Sequence, residues 1–117
     1  MSEVRRVQIR IKDQEALEQA CLDCGLVLHK DSDEIYVIKD HGLKTWGNTE
    51  VCLVKSPNGE YELVGDTNKA DLEVLRKKIK TEYSTNLVRK AAKKLGYSVV
   101  KTTTKDGKRK MKLRKVA

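Results

Sequence analysis

The segment Glu50–Asp66, EVCLVKSPNGEYELVGD, decides how the rest of the chain is read. Two runs that suit strands, EVCLVK and EYELVGD, flank the connector SPNG. Pro57 stands at the second turn position, where its fixed φ fits, and Asn58–Gly59 follow where left-handed backbone is tolerated. This is the clearest hairpin in the middle of the chain, and it anchors an antiparallel sheet.

Working outward, LVLHK (26–30) and EIYVIK (34–39) read as two more strands around the polar turn DSD. Further upstream, RRVQIRIKD alternates. Val7, Ile9 and Ile11 point one way, Gln8 and Arg10 the other, as in a half-buried strand. In KDQEALEQACLDCG, Ala16, Leu17, Ala20, Cys21 and Cys24 recur at helical spacing. Asp13 suits the N-cap, and Gly25 stands where a left-handed residue ends a helix. Between the two hairpins DHGLKTWGNT reads as a loop, in which Trp46 is either a core plug or an exposed contact.

Downstream, residues 67–97 are helical with two stripes. Leu72, Leu75, Ile79 and Tyr83 make one; Val88, Ala91, Ala92 and Leu95 make the other. At ~100° per residue the second is rotated well away from the first. The change falls at Ser84–Thr85–Asn86, residue types that prefer caps to helix interiors. The expectation is two helices, or one with a sharp kink, closed by Gly96. The chain ends in SVVKTTT and RKMKLRKV around KDGK, and Asp106–Gly107 is the strongest short hairpin signal. Met111 and Leu113 are expected to seal the sheet.

The order is therefore strand, helix, four strands, two helices, two strands. With few long crossovers, it predicts a two-layer α+β fold over residues 1–117 as a single domain: a largely antiparallel sheet with helices on one face.

The 117 residues include no Phe, one Trp and four Tyr, so the core rests on Leu, Val and Ile. Charge is unevenly placed. Residues 1–66 hold 8 Lys/Arg and 13 Asp/Glu, net −5; residues 67–117 hold 17 and 4, net +13. Such asymmetry predicts a face attractive to phosphates or acidic partners. No stretch approaches the ~18 apolar residues that span a bilayer, and MSEVRRVQIRI does not read as a secretory signal. With three cysteines, an odd count, a reduced compartment is expected: cytoplasm, or plastid stroma if plastid-encoded.

Three segments carry a resemblance: VQIRIKDQEALEQACLDCG, NGEYELVGD and TEYSTNLVRKAAKKLGYSVV. In this order they cover nearly the whole chain. EYELVGD, the later Tyr83, and Gly96–Tyr97 before SVV are the most diagnostic. On them the chain resembles the family called chloroplast hypothetical open reading frame thirty-five, with its cyanobacterial and other bacterial relatives. The resemblance implies no activity, cofactor or functional residue. The cysteines and the C-terminal lysine run depart from the family pattern.

Candidate chemistry is sparse. Cys21 and Cys24 share a helix face at C-x-x-C spacing, but zinc needs four ligands, and Cys52, His29 and His41 lie at no recognised spacing. A redox pair would want the helix N-terminus, where the dipole lowers a thiol pKa; these sit at the helix end. The plainer reading is two small apolar residues on a buried stripe. Neither histidine falls in a hydrolytic pattern. DSDE is too short for a calcium loop. No G-x-G-x-x-G or P-loop sequence occurs, and no catalytic residue, metal or cofactor is expected.

The basic half is the strongest signal. Arg89, Lys90, Lys93 and Lys94 lie opposite Val88, Ala91 and Leu95 on the helix. Lys110, Lys112 and Arg114 alternate with Met111 and Leu113, ~6.8 Å apart along a strand. The expectation is a non-enzymatic module binding RNA or another polyanion through Arg89, Lys93, Lys94, Lys108, Lys110, Lys112 and Arg114. Contacts would be mainly to backbone and salt-sensitive. The bland alternative is that these lysines only protect an edge strand and aid solubility. A second functional reading is an adaptor or assembly subunit that docks on a larger complex such as an ATPase. A small Cys-based redox or metal protein is the third.

Overall fold

A computed structural model describes residues 4–45, 49–105 and 108–116. The Trp46 question, and the Asp106–Gly107 turn itself, lie outside the described residues.

The central hairpin forms as its turn chemistry requires. β4 (Val51–Lys55) pairs antiparallel with β5 (Tyr61–Gly65), Lys55 opposite Tyr61. Gly59 takes φ +88°, and Asn58 Oδ1 accepts from Glu60 N at 2.9 Å. On its two sides lie β3 (Ile35–Lys39) with β2 (Val27–Ser32), and β1 (Arg5–Gln8). The sheet runs β1-β5-β4-β3-β2, antiparallel throughout. Its register puts Val7, Leu63, Leu53 and Tyr36 on one face, with Gly65 and Ile38 either side of Val51.

The helices cover that face. α1 (Gln14–Asp23) starts at Asp13, whose Oδ1 accepts from Ala16 N at 3.2 Å. It ends in a full Schellman motif: Gly25 at φ +80°, Gly25 N donating to Leu22 O, and Leu26 N donating to Cys21 O. Leu17, Ala20 and Cys21 of α1 and Leu72, Leu75 and Ile79 of α2 close the core over the sheet. Burying a Leu or Ile side chain stabilises by about 1.5–3 kcal/mol, so this layer holds the fold. The α+β class, the antiparallel sheet and the helices on one face all match the reading from sequence.

Two details differ. Residues expected to form two helices form one, α2 (Lys69–Lys94), about 39 Å long at 1.5 Å per residue. Two of the three polar residues that suggested a break, Thr85 and Asn86, find partners without unwinding the backbone. Thr85 Oγ1 donates to Thr81 O at 2.8 Å, Thr81 Oγ1 donates likewise to Lys77 O, and Asn86 Nδ2 reaches Asp23 Oδ2 on α1. Thr85 and Ala92 are buried on the later half, while Val88 and Leu95 of the expected second stripe are exposed.

The last hairpin, β6 (Tyr97–Lys105) and β7 (Lys108–Lys115), is a separate two-stranded sheet. It rests against α2 and does not seal the five-stranded sheet. The Cα radius of gyration is 15.9 Å, against about 13 Å for a compact domain of this length. The excess reflects α2 and the hairpin reaching past the sheet. Among the described residues no helix is long and apolar enough to cross a membrane.

Candidate nucleic-acid interface

The hairpin sorts its side chains by charge. Arg109 turns toward α2: its Nη2 lies 2.7 Å from Glu82 Oε1, and its Nη1 donates to Thr85 Oγ1 at 3.4 Å. The Glu82 hydrogen bond raises the arginine's pKa further above its ordinary range, so this is a fixed ion pair. Met111 also faces the helix, beside Val88. By alternation Lys108, Lys110, Lys112 and Arg114 occupy the other face.

The partner strand adds to that outward row. Lys101 stands opposite Lys112, and Lys105 opposite Lys108. This pairing depends on a one-residue register shift at Val100, between Val99 and Lys101. Like charges directly opposite destabilise a strand pair. The hairpin's outer face thus carries a repulsion, and among its described residues no acidic side chain answers it.

The seven cations singled out from sequence do not converge on one surface. Lys110, Lys112 and Arg114 share the outer face. Lys108 also lines the groove between hairpin and helix. Arg89 and Lys93 border a mostly apolar hollow at the helix–hairpin junction, with Tyr97, Val99 and Val116. Lys94 is exposed in the last turn of α2.

Other cations lie in recesses that the sequence reading passed over. Arg76, Lys77 and Lys80 line the groove under the hairpin, and Arg6, Arg10 and Lys69 line its neighbour beside β1. Arg10 takes φ +63°. Ile9 N donates to Tyr61 O, while Tyr61 N donates to Ile11 O. One residue of β5 thus faces a looped-out stretch just after β1, a bulge that extrudes Arg10 from the ladder. A left-handed non-glycine residue costs about 1–3 kcal/mol and persists only where its surroundings hold it. Fully buried Ile9 and Ile11 on either side supply that hold.

The thiols are poorly placed for redox or metal chemistry. Burial, then the neighbouring Cys24, pushes Cys21 up to about 12. Burial, then Glu82, pushes Cys24 up to about 11. Both remain thiols at neutral pH, whereas thiolates are the reactive species. Among the described residues no three His, Cys, Asp or Glu side chains cluster as a metal site would need. His29 lies exposed on β2, and His41 Nδ1 accepts from Leu43 N in the loop.

No family model, curated protein or solved structure matches the chain.

Proposed function

We propose that this protein is a non-enzymatic binding module that holds RNA or another polyanion on its basic second half. The observation that carries the reading is the cross-strand register of the last hairpin. Lys101 against Lys112 and Lys105 against Lys108 set like charges side by side on a surface without a described counter-charge. In water each such pair costs on the order of 1 kcal/mol at close approach. A polyanion laid along the face removes that repulsion and releases its own counterions.

The test is binding of heparin and mixed RNA across a salt series. About five phosphate contacts give a slope of log K on log salt near −3.5 for a single strand. Absence of binding at low salt, or an affinity indifferent to salt, defeats the proposal.

An adaptor role remains a second reading, and a specific surface favours it. Leu95 is 71% exposed and Val116 58%, beside the hollow at the helix–hairpin junction. Pull-down with native mass spectrometry distinguishes it: a stoichiometric protein partner supports it, and a lone monomer counts against it. Membership of the family named from the sequence belongs to the same proposal and rests on the quoted segments.

A further inference from the structure

The outward lysine row lies on an open strand face, but the cations around α2 line recesses. The groove beneath the hairpin, with Lys77, Thr81, Ser84 and Lys108 along it, shares Arg76 and Lys80 with the recess beside β1. The two are neighbouring recesses that share those two side chains on their walls. Taken together as a channel they follow α2 from Lys69 to Thr85, about 24 Å at 1.5 Å per residue.

Some of its charge is used internally. Arg6 meets Glu62 at 3.3 Å, Arg76 meets Glu73 at 2.9 Å, and Arg109 is held by Glu82. Arg10, Lys69, Lys77, Lys80 and Lys108 have no acidic partner among the described residues. Arg10 adds an independent sign. Its extrusion into left-handed backbone re-aims one cation out of the sheet ladder to the channel's β1 end. Bulges of this kind gather at binding sites because they redirect a side chain.

We propose that this channel seats the phosphodiester backbone of one nucleic-acid strand, entering beside Arg10, running along α2 and leaving at Lys108. The inference rests on the polyanion reading above and gives it a location and a strandedness. A channel with a helix on one side and a hairpin on the other receives a single flexible backbone. A duplex, rigid and convex, meets only the outer row. Thr81 and Ser84 on the wall offer hydroxyl donors to phosphate oxygens. Among the described residues the lining holds no stacking aromatic, so recognition is of backbone, with little base preference.

The test uses the full chain, with fluorescein-labelled oligouridylate, the matching oligodeoxythymidylate and a mixed-sequence duplex as probes, and anisotropy read across salt. Arg10→Gly is the decisive variant, because glycine accepts the left-handed backbone while the whole side chain, cation included, is removed. It should melt no lower than the parent, bind the single strands severalfold more weakly, and lose about 0.7 of the salt slope. Arg10→Lys should recover most of the binding. The triple Lys69→Gln/Lys77→Gln/Lys80→Gln should lose at least tenfold in affinity and about 2 from the slope. If the parent binds single strands but neither variant weakens them, the channel is not the seat, although the polyanion reading survives. Duplex bound as tightly as single strand overturns the strandedness. If the parent binds no probe, the polyanion reading fails and the inference with it.

Discussion

The two sheets of this molecule are built from similar alternating strands and end in opposite conditions. In the five-stranded sheet Val51, Leu53, Tyr61 and Leu63 are fully buried under α1 and the first half of α2. In the two-stranded sheet no described residue is buried. An isolated hairpin is marginal in water. Here Arg109 ties the hairpin to the helix through Glu82 and Thr85, and just past the helix Val116 N donates to Gly96 O at 2.7 Å. The contrast teaches that apolar burial holds the first region, while the second is held by a few polar ties and spends its side chains on charge.

The largest expected effect tests the contrast directly. Leu63→Ala should lose about 2–5 kcal/mol in urea unfolding, because a cavity opens in a closed core. Leu113→Ala, on the hairpin, should lose under about 1 kcal/mol. Equal losses would mean that both sheets share one core. Next comes the tie. Glu82→Gln should speed amide exchange in β6 and β7 about tenfold, which is ~1.4 kcal/mol of local opening, and leave β3, β4 and β5 unchanged. Exchange rising evenly in both sheets would break the distinction.

The smallest effect sharpens the body's side of the comparison. Cys21 and Cys24 stay protonated in the fold up to about 12 and 11, above the ordinary 9.0 of a thiol. Above pH 9 the unfolded chain therefore sheds these protons first and binds fewer of them. Stability is whole below that pH and declines as pH rises toward the folded values. Urea melts at pH 8 and pH 10 should show a shallower decline in Cys21→Ala/Cys24→Ala than in the parent. Identical slopes would mean that the thiols are not sequestered.

What was legible in the sequence follows from how local each signal is. The α1 caps and the central turn are short-range chemistry, and Asp13, Gly25 and Asn58–Gly59 act as their residue types require. The outward lysines of β7 were readable because alternation fixes which residues share a face. Alternation does not say what a face packs against, so the hairpin's separation from the main sheet was invisible. The continuity of α2 was hidden for a related reason. Ser84–Thr85–Asn86 suit caps in isolation, and only tertiary neighbours supply Asp23 for Asn86 and a buried place for Thr85. The place of Arg10 in the recess beside β1 was not legible because an arginine in a strand pattern carries no sign of a positive φ. Arg76, Lys77 and Lys80 were passed over because nothing local in the sequence says that the hairpin lies beside them.

Val100 behaves like an extra beat in a two-beat measure. Before it, Tyr97 and Val99 fall toward the helix; after it, the count restarts so that Lys101 and Lys105 fall away from it. Were Val100 counted in the ladder instead of skipped, both lysines would swing inward beneath the hairpin, and Thr102 and Thr104 would take their outer places. A single apolar residue thus sets the polarity of the whole ribbon: which side attracts an anion and which lies against α2.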